Sequence, residues 1–502
     1  MKKKLYSAIL ASIMVIGSIC GVAIPVYAKE ETKIIDGNDS YDTATYLDVN
    51  GSYSDVLSDS NDVDFYKLIP DSNGKLSINF GHVYGESSHG WKVIIYKYQD
   101  GEYIELSDTV IKLEDSEKVE LPFVGVQYGC EYYIKVQNYN WDAVNKVYTI
   151  KTTFIRSEQY EREENDSYNK ATEMKLNSSY TGTLNNNNDI DIYRINATGN
   201  GKIELTFEHV YTDDSHGWDI IIYRYTNGEY QELSNDRVTL KDNEKYRLPY
   251  IGAVSDGIYY VKIKNYNWRA VGKEYVIRNN FQQSDYYEKE ENNSYTTATD
   301  LKIGEKYNGT LNSNSDKDFW KITATKKGYI KLSFGHDYID DYHGWNVYVY
   351  QYVNGEYKEL SSQTISLKDN KLIQLKGISA QSGGIYYVTI TNYNWNAVGV
   401  NYTLKAAYSI GKPYNLRGTI SKRKIILKWD RGNAVNGYEV YCKVGNGKYK
   451  KIANTLTNSY TYKKLSKKKT CYFKVRSYVI NNGVKEYSGF TAVVKARDRK
   501  ST

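Results

Sequence analysis

Apolar and polar residues alternate along most of this chain, and a period of two residues predicts β-strands. Residues 76–80 and 91–98 are two such stretches, and Asp100-Gly101 then provides a hairpin turn into the next stretch. The same order returns later with Asn227-Gly228 and Asn354-Gly355 in the turn. We therefore expect an all-β chain of tandem, jelly-roll-like β-sandwiches, each with about eight short strands and one short helix near its start.

Two motifs show that one module is used three times. A ten-residue motif runs from His82 to Trp91 and returns at a constant step of 127 residues (209 − 82 and 336 − 209). An Asn-Tyr-Asn-Trp motif keeps the same step. A step this long exceeds the ~20–50 residues of solenoid repeats and predicts whole domains in a row. The modules are placed at 31–157 (module one), 158–284 (module two) and 285–409 (module three).

Residues 1–28 form a predicted signal peptide. Three lysines precede an apolar run over residues 5–24, and Val26-Tyr27-Ala28 offers a cleavage motif before Lys29. An uncleaved anchor is the alternative, because the run is long enough to cross a bilayer. We expect a secreted or cell-surface protein with no membrane span after signal removal.

Charge is divided unevenly along the chain. Residues 411–502 hold 23 Lys and Arg against 4 Asp and Glu, whereas the rest of the chain holds 43 against 56. Such asymmetry reports on partners rather than on the fold. We expect the C-terminal region to bind an anionic cell-wall polymer, without specific recognition of nucleic acid. The 54 tyrosines favour strands and ligand contacts, which suits an extracellular binding protein.

Residues 411–498 differ in pattern from the modules and resemble a fibronectin type III domain. Trp429 follows a short apolar strand, and longer alternating strands come after it. The resemblance implies another β-sandwich, in which the strands that hold Cys442 and Cys471 are neighbours. Both cysteines share the inward face of their strands, so they form either a disulfide or two buried thiols.

Acidic residues cluster at the start of modules two and three. Each cluster reads E-x-E-x-N-[DN], then D-x-D before an aromatic strand, and a G-x-Y-Y-[IV] strand comes near the module's end. This pattern resembles the bacterial pre-peptidase C-terminal domain and, within it, the collagen-binding domains of clostridial collagenases. That resemblance implies bound calcium, which takes six to eight oxygen ligands. The implied ligands are Glu161, Glu163, Asn165, Asp166, Asp189 and Asp191, and Glu288, Glu290, Asn292, Asn293, Asp316 and Asp318.

Module one departs from this pattern, because Ile34 stands where the first glutamate is expected. Its calcium site should be weaker or absent. The implied ligands there are Asp36, Asn38, Asp39, Asp62 and Asp64. In an alternative without metal, Asn165 and Asp166 cap a short helix over residues 166–171 while the glutamates are solvated.

All six histidines belong to the ten-residue motif, two in each copy. They are His82, His89, His209, His216, His336 and His343. Two imidazoles with an acidic residue between them suit Zn²⁺ or another transition metal. They equally suit a loop held together by hydrogen bonds, which is the commoner use. The tryptophan that ends the motif shares its parity with Val93 and Ile95, so we expect it in the core.

The Asn-Tyr-Asn-Trp motif follows the Tyr-Tyr strand, where a turn must occur. Its rings either contact a ligand, such as a sugar ring or a proline-rich chain, or plug the end of the sandwich. If the strands alternate in direction, this loop, the D-x-D loop and the histidine loop lie at one end of the module. The ring candidates are Tyr139, Trp141, Tyr266, Trp268, Tyr393 and Trp395.

The chain carries no sequence motif typical of a serine hydrolase, a metalloprotease or a phosphate-binding enzyme, and we expect no enzyme activity. We expect a non-catalytic protein whose modules bind an extracellular polysaccharide or collagen-like protein, with triplication adding avidity. The alternative is a structural or accessory spacer without a ligand. A third hypothesis is a metal-dependent hydrolase that uses the histidine loop.

Overall fold

The structure, a computed structural model, describes residues 37–498 except 268, 394–396, 422, 433–434, 466–467 and 482–483. The predicted signal peptide, Asp36, Trp268 and Trp395 therefore lie outside the described residues. Strands make up nearly all of the regular structure, as the sequence predicts, and the chain divides into two compact units, Met1–Arg156 and Ser157–Thr502. No helix in the described part of the chain is long and apolar enough to cross a membrane.

Module one, in the first unit, is a sandwich of two sheets. Its strands are β1 (Thr45–Tyr46), β2 (Ser52–Val56), β3 (Val63–Leu68), β4 (Gly74–His82), β5 (Gly90–Gln99), β6 (Glu102–Lys112), β7 (Lys118–Glu120), β8 (Val124–Val126), β9 (Glu131–Tyr139) and β10 (Val147–Arg156). One sheet has the order β1-β3-β9-β5-β6, and the other has β2-β10-β4-β7 with β8 also on β4. The short β1 runs parallel to β3, and the longer strands pair antiparallel.

Module two, in the second unit, repeats this arrangement. Its strands are β11 (Thr172–Glu173), β12 (Ser179–Thr183), β13 (Ile190–Asn196), β14 (Gly201–His209), β15 (Gly217–Thr226), β16 (Glu229–Thr239), β17 (Lys245–Arg247), β18 (Ile251–Ala253), β19 (Ile258–Tyr266) and β20 (Glu274–Gln283). The sheets have the orders β11-β13-β19-β15-β16 and β12-β20-β14-β17, with β18 on β14.

Module three has the same two layers with one strand fewer. Its strands are β21 (Thr299–Asp300), β22 (Lys306–Gly309), β23 (Lys317–Thr323), β24 (Gly328–His336), β25 (Gly344–Val353), β26 (Glu356–Ser366), β27 (Leu372–Ala380), β28 (Ile385–Tyr393) and β29 (Tyr402–Tyr408). The sheets have the orders β21-β23-β28-β25-β26 and β22-β29-β24-β27. The single β27 takes the place of the two short strands that pair with β14 in module two.

Strand register brings three loops to one end of each module. In module one, Asp64 of the D-x-D sequence pairs with Val136 near the end of β9. The histidine loop ends at Gly90, which starts β5 and pairs with Tyr139, the last residue of β9. The Asn-Tyr-Asn-Trp loop leaves β9 at the same place. The expected clustering of the D-x-D, histidine and Asn-Tyr-Asn-Trp loops is confirmed.

The tryptophan that ends the histidine motif lies in the core, as its parity predicts. Trp91, Trp218 and Trp345 are fully buried, and the ring centroids of Trp218 and Phe207 are 5.0 Å apart. The hairpin turns are also as predicted. Both residues of Asn227-Gly228 have positive φ (52° and 84°), which is the type I′ geometry that this dipeptide favours.

The short helix expected near each module's start is wrong. Module one has a single 3₁₀ turn over Tyr41–Thr43, and the equivalent segment of module two is a turn closed by one bond from Lys170 N to the Ser167 carbonyl (3.0 Å). One such bond fixes too few residues to overcome the cost of helix nucleation. Asp166 caps no helix, because its carboxylate instead accepts a hydrogen bond from Ile190 N in the D-x-D loop (3.0 Å).

The C-terminal domain is a separate two-sheet sandwich. Its strands are β30 (Tyr414–Ser421), β31 (Lys424–Asp430), β32 (Gly437–Val444), β33 (Lys450–Thr455), β34 (Ser459–Tyr462), β35 (Cys471–Asn481), β36 (Val484–Tyr487) and β37 (Val494–Ala496). The sheets have the orders β30-β31-β34 and β33-β32-β35-β36, with β37 on β35. Trp429 is fully buried between them.

Cys442 and Cys471 are free, buried thiols in the structure, and not the disulfide that one of the two alternatives predicts. Cys442 pairs with Phe473 and Cys471 pairs with Val444, so the two cysteines face each other diagonally across β32 and β35. Their side chains are close enough to interact, and Cys471 contributes to the raised pKa of the Cys442 thiol after burial.

Ile263→Ala should lower the free energy of unfolding of module two by about 2–5 kcal/mol, because Ile263 is fully buried on β19 and its loss leaves a cavity. Lys262 faces the other side of the sheet and is partly exposed. Lys262→Ala should therefore change the free energy of unfolding by less than about 0.5 kcal/mol. Urea unfolding followed by tryptophan fluorescence measures both. Equal effects would contradict the inward and outward faces assigned to β19.

Candidate metal centres

Three acidic side chains converge in module two, and three more converge in module three. The groups are Glu161, Glu163 and Asp191, and Glu288, Glu290 and Asp318. Within each group the ligand atoms lie within 4.8 Å of one another, and every side chain is at most 2% exposed. Among the described residues, these are the two groups of three or more His, Cys, Asp or Glu ligands.

A tyrosine and a backbone amide hold the first glutamate and the aspartate. In module two, Glu161 Oε1 accepts a hydrogen bond from Thr183 N (2.6 Å), and its Oε2 lies 3.4 Å from the Tyr275 hydroxyl. The same hydroxyl donates to Asp191 (2.5 Å), so one side chain of β20 contacts both carboxylates. Module three repeats these contacts with Tyr402 in the place of Tyr275.

An asparagine that sequence reasoning missed holds the second glutamate. Asn185 Nδ2 donates to Glu163 Oε1 (2.5 Å), and its backbone N donates to the Asp189 carboxylate. In module three, Asn312 Nδ2 donates to Glu290 Oε1 (2.8 Å). The signal was present in the sequence, since an asparagine stands four residues before each D-x-D of modules two and three.

Burial raises the pKa of several of these acids. Burial, and then the negative charges of Asp191 and Glu163, raise the pKa of Glu161 well above its usual range. Burial also raises the pKa of Asp191 to about 7, although its hydrogen bond from Tyr275 opposes the rise. In module three, burial raises the pKa of Asp316 to about 6. Carboxylates this close and this dry need a cation or protons between them.

Both groups fit a bound Ca²⁺ ion. Two oxygens that each lie about 2.4 Å from one ion are at most about 4.8 Å apart, and the ligand atoms of both groups lie within this limit. Every donor is an oxygen, as a hard cation prefers. In module three, Asp318 Oδ1 is buried without a hydrogen-bond partner, so the group contains an acceptor that an ion would satisfy.

The remaining predicted ligands lie around these groups. Asp189, Asn165, Asp316 and Asn292 are buried beside them. Asp166 and Asn293 are exposed, and each accepts a hydrogen bond from a backbone N of the D-x-D loop. Because the glutamates are buried, the alternative with solvated glutamates and a helix cap is wrong.

Module one brings fewer of its predicted ligands together. Asn38 and Asp64 are buried (1% and 2% exposed), Asp62 is half-buried and Asp39 is exposed. Asp62 accepts a hydrogen bond from Ser58 N, so the D-x-D loop has the same internal contact as in module two. The fifth predicted ligand, Asp36, lies outside the described residues.

The two histidines of each motif copy have different surroundings. The first is buried against the motif tryptophan, as the 5.3 Å between the ring centroids of His82 and Trp91 shows. The second contacts a carboxylate, which for His89 is Asp142 (3.3 Å). His216 and His343 likewise contact an aspartate two residues earlier. Neither ligand group in the described part of the chain contains a histidine, and the contacts agree with a loop held by hydrogen bonds.

Exposed apolar side chains stand at the end of each module where the three loops meet. Trp141 is 75% exposed, so it does not plug the sandwich, whereas Tyr139 and Tyr266 are half-buried and Tyr393 is 37% exposed. The histidine loops add exposed residues that sequence reasoning did not single out. We call the set the apolar tips: Val83, Tyr84 and Trp141 in module one, Val210 and Tyr211 in module two, and Tyr338 and Ile339 in module three.

No protein-family model and no curated protein matches this chain. Several solved structures are similar to parts of it. An Fn3-like protein from Clostridium thermocellum is 21% identical over 18% of this chain and 97% of that chain, with a TM-score of 0.16. The pre-peptidase C-terminal domain of a collagenase from Bacillus anthracis is 15% identical over 22% of this chain and 93% of that chain, with a TM-score of 0.17. A cytokine receptor complex is 11% identical over 36% and 97%, with a TM-score of 0.25.

Metal-free protein should lose stability as the pH rises. Folded Asp191 has a pKa of about 7, above the ~3.9 of an unfolded aspartate, so the folded state binds more protons in this window. Stability should therefore fall from about pH 4 to about pH 7 in EDTA, and Ca²⁺ should reverse the trend by favouring the ionised carboxylates. Thermal unfolding with EDTA or Ca²⁺ at several pH values measures this. A melting temperature that rises with pH in EDTA would contradict it.

Glu288→Gln should separate charge repulsion from ion binding in module three. Without metal it removes repulsion from Asp318 and Glu290, so the melting temperature should stay equal or rise. With Ca²⁺ it should weaken binding at this site by at least about tenfold. Calorimetric titration of the full chain measures the affinity. Glu356→Gln on the exposed edge of β26 is the control and should leave both readouts unchanged.

Proposed function

We propose that this chain is an exported, non-catalytic binding protein. Its three sandwiches hold an extracellular polymer, a polysaccharide or a collagen-like protein, through their apolar tips. Calcium bound behind the tips in modules two and three keeps the loops in place, and the basic C-terminal domain attaches the protein to an anionic wall polymer. The similarity of the modules to pre-peptidase C-terminal domains and of residues 411–498 to fibronectin type III domains supports a role in binding.

The apolar tips are the observation that carries this proposal. In module one Val83, Tyr84 and Trp141 are 72%, 55% and 75% exposed. Single exposed apolar residues are ordinary, but apolar loops at the same end of three copies are typical of a contact surface. Aromatic rings add a large contact area at little cost in conformational entropy.

The candidate calcium loop contacts the Asn-Tyr-Asn-Trp motif, and this motif pairs with the end of the tip-carrying histidine loop, as Asn265 does with Trp218. Asn265 Nδ2 of the Asn-Tyr-Asn-Trp motif donates to Asn187 Oδ1 in the loop before the D-x-D (3.4 Å). In module three Asn392 and Asn314 make the same contact at 3.1 Å. An ion held by the carboxylates would order both loops before the ligand arrives. The ligand would then lose less entropy on binding, because the contact surface is already in its bound form.

Three copies of one surface suit a repetitive ligand. A weak contact at one module becomes effective when the other modules are tethered to the same polymer strand, because tethering raises the effective concentration to the millimolar range for short linkers. A ligand with a repeating unit offers the same contact to each module. The constant 127-residue step thus supports a polymer rather than a small molecule as the ligand.

One sheet face of the C-terminal domain presents ordered positive charge. Three cations on β32 and β35 form a row on this face. Each lies over an aromatic ring from β35, β36 or the segment after β36. The pairs are Lys443 over Tyr472 (4.7 Å), Lys474 over Phe490 (3.8 Å) and Arg476 over Tyr487 (3.7 Å). Arg476 is also ion-paired with the buried Glu439 carboxylate (2.8 Å), so the proposed contact rests on Lys443 and Lys474. Each ring restrains its cation through a cation–π contact. A row of restrained cations favours a linear polyanion as the partner.

Trp141→Ala should weaken binding of the full chain to its polymer about tenfold or more, because it removes the most exposed ring of the module-one tip. Arrays of polysaccharides and of collagen-like peptides identify the ligand, and surface plasmon resonance gives the affinity. Tyr128→Ala is the matched control, since Tyr128 is 71% exposed in the turn before β9, at the opposite end of the module. Absence of any ligand, or equal effects of both variants, would favour the spacer alternative.

Lys443→Glu with Lys474→Glu should abolish most binding of the full chain to poly(glycerol phosphate), a linear anionic wall polymer. Binding should also weaken steeply between about 50 and 200 mM salt, as screening of exposed charges requires. Lys358→Glu with Lys306→Glu removes the same charge from exposed positions of module three and should have little effect. Binding that does not change with salt would overturn the proposed attachment.

A further inference from the structure

Position 55 on β2 is where module one differs most from its repeats in the candidate metal centre. Module one has Asp55 there, whereas modules two and three have Gly182 and Gly309 at the 127-residue step (182 − 55 and 309 − 182). Asp55 is 2% exposed, so its carboxylate lies inside the sandwich. A buried aspartate in place of two glycines is a change of chemistry at the same point of the fold.

Lack of space explains the glycines. A Cβ atom at Gly182 would lie 2.5 Å from Glu161 Oε2 and 2.4 Å from the Tyr275 hydroxyl. At Gly309 the corresponding distances are 2.6 Å to the equivalent glutamate and 2.4 Å to the equivalent tyrosine. The first glutamate of the ligand group therefore fills the space that a side chain at this position would need.

Module one lacks that glutamate, since Ile34 stands at its position in the sequence. The cross-strand partner of Asp55 is Tyr148, as Tyr275 is the partner of Gly182. The Asp55 carboxylate thus enters the same region of the sandwich from β2 instead of from the preceding segment. In module one β2 supplies the carboxylate that, in modules two and three, comes from the segment before the first strand.

The two tyrosine hydroxyls beside Asp55 and Asp64 have too few protons for the contacts they make. The Tyr66 hydroxyl donates to Asp55 (3.0 Å), the Tyr148 hydroxyl donates to Asp64, and the two hydroxyls lie 2.6 Å apart. Each hydroxyl has one proton, so two protons cannot serve three contacts while both carboxylates are ionised. A cation among these oxygens would remove the conflict.

A buried amide oxygen gives an independent indication of a ligand. Asn38 is 1% exposed, and its Nδ2 donates to the Phe65 carbonyl (3.3 Å), which keeps the side chain beside Asp64. Its Oδ1 has no hydrogen-bond partner in the part of the chain that the structure describes. Unpartnered buried acceptors are rare and call for an explanation. An amide oxygen next to carboxylates is a suitable ligand for a hard divalent cation.

We propose that module one binds a divalent cation of the calcium class through Asp55, Asp64 and the Asn38 Oδ1 oxygen, with Asp55 replacing the glutamate that modules two and three carry before their first strand. This inference rests on the calcium sites proposed for those modules. Module one is then a third, differently built site rather than a weakened copy. Among the described residues, it offers two carboxylates and one amide oxygen.

The test counts ions on the full-length chain by equilibrium dialysis against Ca²⁺ followed by atomic emission. Asp55→Asn should bind one ion fewer per chain than the wild type, Glu161→Gln should also bind one fewer, and the double variant two fewer. Asp108→Asn, on an exposed part of β6 in the same unit, is the control and should bind the full number. If Asp55→Asn binds the full number while Glu161→Gln loses one, module one has no such site and the calcium sites of the other modules stand.

Thermal unfolding guards against a variant that is simply misfolded. In EDTA Asp55→Asn should melt at the same temperature as the wild type or higher, because it removes repulsion from Asp64. In Ca²⁺ it should lack the stabilisation of the first unit that the wild type gains. A purely structural role for Asp55 predicts the same loss in both buffers, and that result would overturn the proposal.

A reciprocal variant tests directly whether either position, 34 or 55, can supply the carboxylate. Asp55→Gly combined with Ile34→Glu gives module one the residues of module two and should restore the ion that Asp55→Gly alone loses. Failure of the restored variant to regain the ion, with both single variants folded, would show that the two positions are not interchangeable. If neither the wild type nor any variant binds Ca²⁺, the proposed function fails together with this inference.

Discussion

A carboxylate removed from water needs a cation or a proton nearby, and this need shapes one end of every module. In module two Glu161 and Asp191 are fully buried and share the hydroxyl of Tyr275. The surroundings are fitted to them, since Gly182 leaves the space and Asn185 holds the neighbouring Glu163. Isolated buried charges of this kind cost several kcal/mol each, so the carboxylates need a cation or protons to offset that cost.

The segment that carries the buried glutamates of module three also joins this module to module two. Glu288 and Glu290 lie on the segment between β20 and β21, and this segment packs on module two. Glu290 N donates to the Gly252 carbonyl (3.3 Å), and the Arg224 guanidinium donates to the Glu290 carbonyl. A Cβ at Gly252 would lie 2.6 Å from the Glu288 carbonyl, so the contact also requires glycine. The ligands of one module are thus positioned partly by the module before it, and the site and the joint share one stretch of backbone.

Much of the fold follows from the sequence because strands and type I′ turns depend on neighbouring residues. The alternation around Trp218 and the Asn227-Gly228 turn predict both, and the structure agrees. Contacts between residues distant in sequence are harder to predict from the sequence. Asn185 contacts Glu163 in the segment before β11, and Asp55 contacts Tyr66 on β3. The diagonal placement of Cys442 depends on a register that parity alone does not set. The resemblance to pre-peptidase C-terminal domains implied the candidate ligands, but only the structure brings them together.

The three described cysteine thiols differ in how readily an oxidant would react with them. Cys442 and Cys471 are buried at 5% and 0% exposure, and burial raises the pKa of Cys442 to about 12, so almost no thiolate forms there at neutral pH. Cys130 is half-buried in the turn before β9. Among the three described cysteines, a thiol-reactive dye added to folded protein should therefore mark Cys130 first, and air oxidation should reach this residue before the C-terminal domain.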